Sequence, residues 1–246
     1  MKLSTDKILQ SALDLLTDNK PNLTGNYLDI GSGTGDLIQL VKDRFDVSCY
    51  AVDYTDTLMQ DKNQKVDVVD LNYCSLPYDD NFFDAITFTE VIEHLEDHRK
   101  ILKEINRVLK KDGVLIVTTP NILNLKSRVR FFLVGFYNLF GPMHVKESDL
   151  HSAGGHINPI SYFYLSHSLL DADFSNIQPI IDKKQKTSVF WLFLLYPLIR
   201  IGSFFTYKKE LNKYKTIDIH NKDYVYKMNS IDLLLGRTIV VSALKK

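Results

Sequence analysis

Cysteine is nearly missing from this sequence: only Cys49 and Cys74 occur in 246 residues. Each lies inside or beside an apolar run, which argues against a disulfide framework and for a reducing compartment. Neither stands out as a nucleophile. Surplus charge is missing as well. The 30 basic residues are balanced by 30 acidic ones, so the chain has no global positive charge with which to hold a polyanion, and nucleic acid is not favoured as a partner. The opening stretch, Met1-Lys-Leu-Ser-Thr-Asp6, lacks the apolar core of a secretory signal and reads as a helix start capped by Ser4 or Thr5. A cytoplasmic location is expected. Length is too short for two independent enzyme domains. The expectation is a single domain over 1–246, with a core at 24–182 and 237–246 and an insertion acting as a lid at 183–236.

What is present is an alternation of two periods. Leu3 to Leu16 carries its leucines and isoleucine at helical spacing, ending before Asn19-Lys-Pro21. Short apolar runs follow at Tyr27 to Ile30, Val47 to Val52, Val66 to Val69, Phe83 to Phe88 and Val114 to Thr118, each closing in small or polar residues. Helix-like segments lie between them, at Asp36 to Phe45, Thr55 to Met59 and Asp97 to Leu109. Two further runs, Ile177 to Ile181 and Thr238 to Leu244, read as strands. Strands alternating with helices predict an α/β fold, a doubly wound and mostly parallel sheet covered on both faces. Ligands of such sheets bind outside the carboxyl ends of the strands.

At the first of those ends stands Asp29-Ile-Gly31-Ser32-Gly33-Thr-Gly35, followed by a helix. Glycines there allow a sharp turn and let a ligand approach main-chain N–H groups at a helix N-terminus. A dinucleotide dehydrogenase also places glycines after its first strand, but in a GxGxxG spacing. Here the spacing is GxGxG with an acid before it. A carboxylate at Asp29 repels a pyrophosphate and suits a cationic amino-acid ligand. Asp53 ends the second strand about twenty residues on, where a carboxylate can accept both hydroxyls of a ribose. Asp70 ends the third, within reach of an adenine edge. Any one aspartate can be a helix cap or a solvated loop residue; three after three consecutive strands form a pattern.

From Tyr27 to Thr119 the chain resembles the class I S-adenosylmethionine-dependent methyltransferases, in particular the methyltransferase type 11 and 12 group. The likeness includes Leu76-Pro-Tyr-Asp-Asp-Asn-Phe-Phe-Asp84, Glu90-Val-Ile-Glu-His-Leu95 and Leu109 through Asn121. It implies a Rossmann-like sheet of seven strands with the last antiparallel, preceded by an N-terminal helix and here carrying a hydrophobic helical insertion before the last strand. It also implies that Asp29, Gly31, Gly33 and Gly35 hold the methionine part of S-adenosylmethionine, Asp53 the ribose, and Asp70 with Leu71 the adenine, with Ser32 and Tyr54 as further cofactor-binding residues. Thr89, at the end of the fourth strand, joins this set.

Glu90, Glu93 and His94 follow the fourth strand at one-turn spacing, which brings their side chains together. Two carboxylates and an imidazole make a candidate site for Mg2+ or Mn2+, although similar segments also occur in metal-free relatives. A downstream histidine, His156 in Gly154-Gly-His-Ile-Asn-Pro, strengthens the case. Glu-x-x-Glu-His with a later histidine resembles the small-RNA terminal 2′-O-methyltransferases and the ubiquinone-pathway O-methyltransferases. In those the ion binds neighbouring hydroxyls of the acceptor. His94, Glu90 and His156 are the candidate catalytic groups, because a hydroxyl needs a base or a Lewis acid before it attacks a sulfonium methyl. His144 and His151 can substitute as the further ligand.

Two hydrophobic additions bear on the acceptor. Asn124 to Phe140 is basic first and aromatic after. The stretch at 187–206 is apolar and aromatic, bordered by Lys183, Lys184, Lys186, Lys208 and Lys209. Pro197 and Arg200 interrupt it, which argues against a membrane-spanning helix. A lid, a homodimer face or a monotopic element on a membrane surface all fit. The expected reaction is O-methylation of a small-molecule, lipid-linked saccharide or quinone-like acceptor. Methylation of an RNA 2′-hydroxyl, or a non-catalytic scaffold that binds S-adenosylmethionine, are the alternatives.

Overall fold

A computed structural model of the protein describes residues 5–142 and 155–246; His144 and His151 lie outside them. The chain runs α1 (Asp6–Asn19), β1 (Thr24–Ile30), α2 (Asp36–Arg44), β2 (Asp46–Asp53), β3 (Val66–Val68), β4 (Phe83–Thr89), a single 3-10 turn (Ile92–His94), α3 (His98–Val108), β5 (Leu109–Pro120) and α4 (Leu125–Val134). It continues with α5 (Tyr162–Asp171), β6 (Phe174–Ile181), α6 (Lys186–Lys209), a π turn (Glu210–Tyr214), α7 (Lys222–Lys227), α8 (Ile231–Leu235) and β7 (Thr238–Lys245).

The seven strands form one sheet in the order β3-β2-β1-β4-β5-β7-β6. All are parallel except β7, which runs antiparallel to both β5 and β6. Period-two alternation builds the two layers. Val114 and Ile116 of β5 pack with α1 and α2 through Leu16, Leu37 and Val41. Their neighbours Leu115 and Val117 pack on the other face with Ile101, Leu102 and Ile105 of α3 and Leu165 and Leu169 of α5. Covering on both faces is what the unbroken apolar character of β4 and β5 requires, since every alternate residue meets a helix. The order places a switch point between β1 and β4, where crossovers leave in opposite directions and a crevice opens at the carboxyl ends.

Two expectations are corrected. Thr55 to Met59 is not helical: the Thr55 side chain accepts from the Thr57 N–H, and Asp53 from the Thr55 N–H, so side chains take the donors a helix would start from. Pro197 does not break its segment, which is one continuous helix from Lys186 to Lys209. Hydrogen bonds tie both ends of α6 to the body and offset the local cost of the proline: the Lys126 N–H donates to Ser188 at one end, and the Asn229 amide donates to Ser203 and Tyr207 at the other. Helix α5 begins at Tyr162, with Ser161 at its N-cap position.

Candidate functional site

A cavity of about 310 Å³ lies at the switch point. Its walls come from the segments that leave β1, β2, β3 and β4, joined by Leu9 of α1, by Leu139 and His156, and by Arg237 just ahead of β7. Asp29, Gly31, Ser32, Gly33, Asp53, Tyr54, Asp70, Leu71, Thr89, Glu90, His94 and His156 all line it. Among the expected site residues, Gly35 and Glu93 do not. No residue of 183–236 lines it either, so the lid expected there is absent from the described wall.

The glycines are fixed by their surroundings. Gly31 sits at φ +76°, and a Cβ there would meet the Val91 side chain at 2.0 Å, so the loop after β1 and the loop after β4 close against each other only because a hydrogen stands at this position. Gly35, at φ +84°, opens α2 and would collide with the Met59 sulfur at 2.6 Å. It acts on the site from behind, by setting where α2 begins.

The three aspartates differ in their bonding. Asp29 is 1% exposed; the Thr87 hydroxyl donates to its Oδ1 at 2.7 Å, and Tyr27 shares a 2.6 Å bond with Thr87. Burial pushes the Asp29 carboxyl up to about 7, against the opposing bond from Thr87, with the Asp53 charge adding to the rise. Asp53 accepts from the Gly33 N–H at 2.8 Å, which locks the glycine loop to the end of β2. Its pKa is raised by burial. Asp70 accepts from the Asn72 N–H at 3.1 Å and so shapes its own turn while facing the cavity.

At the other end of the cavity the groups are buried and less well bonded. Glu90 adopts φ +54°, a left-handed conformation that costs a non-glycine residue about 1–2 kcal/mol. Thr118 secures it twice, accepting from the Glu90 N–H and donating to Oε1, both at 2.9 Å. Burial lifts the Glu90 carboxyl to about 7, opposed by Thr118 and by the Arg237 charge. Glu93 is fully buried, and neither of its oxygens has a hydrogen bond among the described residues. Burial and then the neighbouring Glu90 charge push its pKa well up. His94 Nδ1 lies 3.0 Å from the Gly155 carbonyl, which fixes Nδ1 as the protonated nitrogen and leaves Nε2 as an acceptor. Burial, then the nearby His156, lowers His94 to about 4. The His94 and His156 rings meet edge to face at 4.8 Å.

Ligand atoms of Glu93, His94 and His156 all lie within 4.8 Å of one another. The orphaned Glu93 carboxylate and the unpartnered His156 Nδ1 fit a cation. Two imidazoles and one carboxylate suit a first-row transition ion such as Mn2+ better than Mg2+, which prefers oxygen. Glu90, expected as a ligand, is outside this group. The 3-10 turn explains the separation: it starts at Ile92, so Glu90 and Glu93 are not one α-helical turn apart, and Thr118 draws Glu90 towards β5.

Sequence reasoning missed Thr87, Thr118, Leu139 and Arg237. Thr87 and Thr118 were legible as hydroxyls inside otherwise apolar strands. Arg237 carried no local signal, because it reaches the site only through the pairing of β7 with β5.

Residues 28–117 match the family model described as a methyltransferase domain. Among curated relatives, the ubiquinone/menaquinone biosynthesis C-methyltransferase UbiE of Citrifermentans bemidjiense is 30% identical over 129 residues, covering 46% of this chain and 54% of that protein. Demethylmenaquinone methyltransferase of Bacillus mycoides is 27% identical, covering 54% of this chain and 60% of that protein. The chain thus spans about half the length of the curated relatives it matches. An S-adenosylmethionine-dependent methyltransferase structure from Archaeoglobus fulgidus superposes with a TM-score of 0.56 at 15% identity, over 96% of this chain and 94% of that one. Such a likeness speaks for the fold alone.

Proposed function

We propose that this chain is a class I S-adenosylmethionine-dependent methyltransferase that transfers the methyl group to a hydroxyl oxygen of a small acceptor held beside Glu90, His94 and His156. The supporting observation is the polarity of one cavity: Asp29, the glycine loop and Asp53 at one end, a base-bearing cluster at the other. Bound at the first end, S-adenosylmethionine supplies a methyl group on a sulfonium. The chain's residues do the rest. Asp29 offers a carboxylate to the cationic methionine portion, and the unpartnered hydroxyl of Ser32 offers a donor to its carboxylate. Asp53 accepts from ribose hydroxyls while its bond to Gly33 keeps the loop in register. His94 Nε2, left unprotonated by the bond at Nδ1, accepts the proton as the acceptor oxygen attacks in line. Glu90, poised by Thr118, takes a second hydroxyl bond.

A metal-assisted form of the same reaction is favoured by the Glu93, His94 and His156 cluster. Those three side chains would hold a divalent ion, which would lower the pKa of an acceptor hydroxyl. Carbon methylation is the second reading, favoured by the likeness to UbiE. It draws on the same base, since deprotonating a phenol activates the neighbouring ring carbon.

Incubation with methyl-labelled cofactor and total cell extract, followed by NMR of the labelled product, tests this. A methoxy signal is expected. A ring methyl selects the second reading, label in RNA selects the 2′-hydroxyl, and S-adenosylhomocysteine binding without any labelled product selects a scaffold. Stabilisation by NAD(H) and not by S-adenosylhomocysteine removes the proposal altogether.

A further inference from the structure

The helix α6 presents an apolar stripe to solvent. Phe190, Phe193, Leu194, Leu198, Ile201 and Phe205 recur three or four residues apart along one side of it, and Phe193 is 83% exposed. The opposite side is bonded to the body at Ser188, Ser203 and Tyr207. Helix α4 packs beside α6 and adds Phe132, 86% exposed, and Leu133. A soluble monomer rarely leaves apolar surface so continuous in water.

Charge shows what covers it. Between Lys183 and Lys215 stand eight basic residues and one acid, Glu210, although the whole chain is neutral. The lysines gather at the two ends of α6, and Lys209 and Lys213 lie 5.0 and 5.6 Å from the Tyr214 ring. An apolar middle flanked by lysines and tyrosine matches the section of an anionic bilayer surface, acyl chains below and phosphates beside. A second copy of this chain would set these lysines against each other.

Length and composition would also let α6 cross a bilayer, but two observations oppose that. Both of its ends are hydrogen-bonded to one body, so the helix lies along that body. Arg200 also stands exposed midway along the apolar stripe, a costly position at the centre of a bilayer and an ordinary one at headgroup depth.

The place of this surface in the fold ties it to chemistry. The chain entering α6 pairs with the chain leaving α8, Lys184 opposite Gly236, and the next residue, Arg237, lines the cavity. Beyond α4, Leu139 lines the same cavity. We infer that α4 and α6 dock the protein on one leaflet of an anionic membrane, with the cavity set to receive the headgroup of a membrane-resident acceptor. The choice of acceptor rests on the methyltransferase reading; the docking does not.

Flotation of the full chain with phosphatidylcholine vesicles, with and without phosphatidylglycerol, tests the docking without any methyl transfer. Co-flotation is expected with the anionic vesicles, weakening as salt is raised, and release by alkaline carbonate. Joint replacement Phe190→Gln, Phe193→Gln and Phe205→Gln should reduce vesicle binding at least about tenfold while thermal unfolding and S-adenosylhomocysteine affinity stay unchanged. Failure of the unaltered protein to float, equal flotation of the triple variant, or retention after carbonate would each overturn the inference. So would a dimer in solution that depends on the same three residues and excludes vesicles.

Discussion

The two ends of the cavity are built on different terms. At the cofactor end the carboxylates are already bonded by the fold: Asp29 to Thr87, Asp53 to Gly33, Asp70 to Asn72. At the acceptor end polar atoms are buried without partners: His156 Nδ1, and both oxygens of Glu93, which stands outside the cavity lining but beside His94 and His156. Each such group costs about 1–3 kcal/mol while it stays unpaired. One end is thus preorganised for a single ligand. The other stores a demand for polar contact that a hydroxylated acceptor or an ion satisfies.

The sharpest break in that comparison is Gly31→Ala. Its new Cβ falls 2.0 Å from the Val91 side chain at a positive φ, so a loss of roughly 2–4 kcal/mol in thermal unfolding is expected, together with loss of S-adenosylhomocysteine binding. Next in size, His94→Ala or His156→Ala should lower kcat about 10²-fold with cofactor affinity unchanged in calorimetry. If Mn2+ raises the melting temperature of the unaltered protein, it should fail to do so for either variant.

Asp29→Asn should weaken cofactor binding about tenfold, and its pH signature separates the two ends further. In the free protein this carboxyl titrates near 7 rather than at 3.8. Because its folded-state pKa is raised, ionisation disfavours the fold, and stability of the free protein falls as pH rises through that window. A bound cation favours the carboxylate, so affinity should climb with pH towards 7 and then level off. Titration calorimetry across that range should find the climb in the unaltered protein and a flat profile in Asp29→Asn. The smallest effect is expected for Thr118→Val, which frees Glu90 from two bonds at a cost of about 1–2 kcal/mol, visible as a modest fall in melting temperature.

The sheet was largely legible, because each strand is a short apolar run closed by a polar residue and β7 follows a long insertion. Thr55 to Met59 misled because it lies between two strands where a helix is expected, whereas the hydroxyl of Thr55 captures the backbone donor the first turn needs. Pro197 misled in the opposite sense, since a local rule about proline says nothing of contacts made by Ser188 and Tyr207 at either end. The glycine loop and its aspartates were readable as a set because strand ends in a parallel sheet converge. The acceptor end was only half readable: Glu93, His94 and His156 do meet, yet Glu90 turns away to Thr118.

Sequence by itself therefore determined the order of strands and helices, the GxGxG turn and the three aspartates that follow β1, β2 and β3, for these depend on periodicity and on residues close along the chain. Tertiary structure alone decided that Thr118 holds Glu90, that Arg237 and Leu139 join the cavity, and that one side of α6 faces solvent while the other is stitched to the body. These contacts link residues far apart in sequence, and only the packing of β7 beside β5 and of α6 beside α4 brings them within reach.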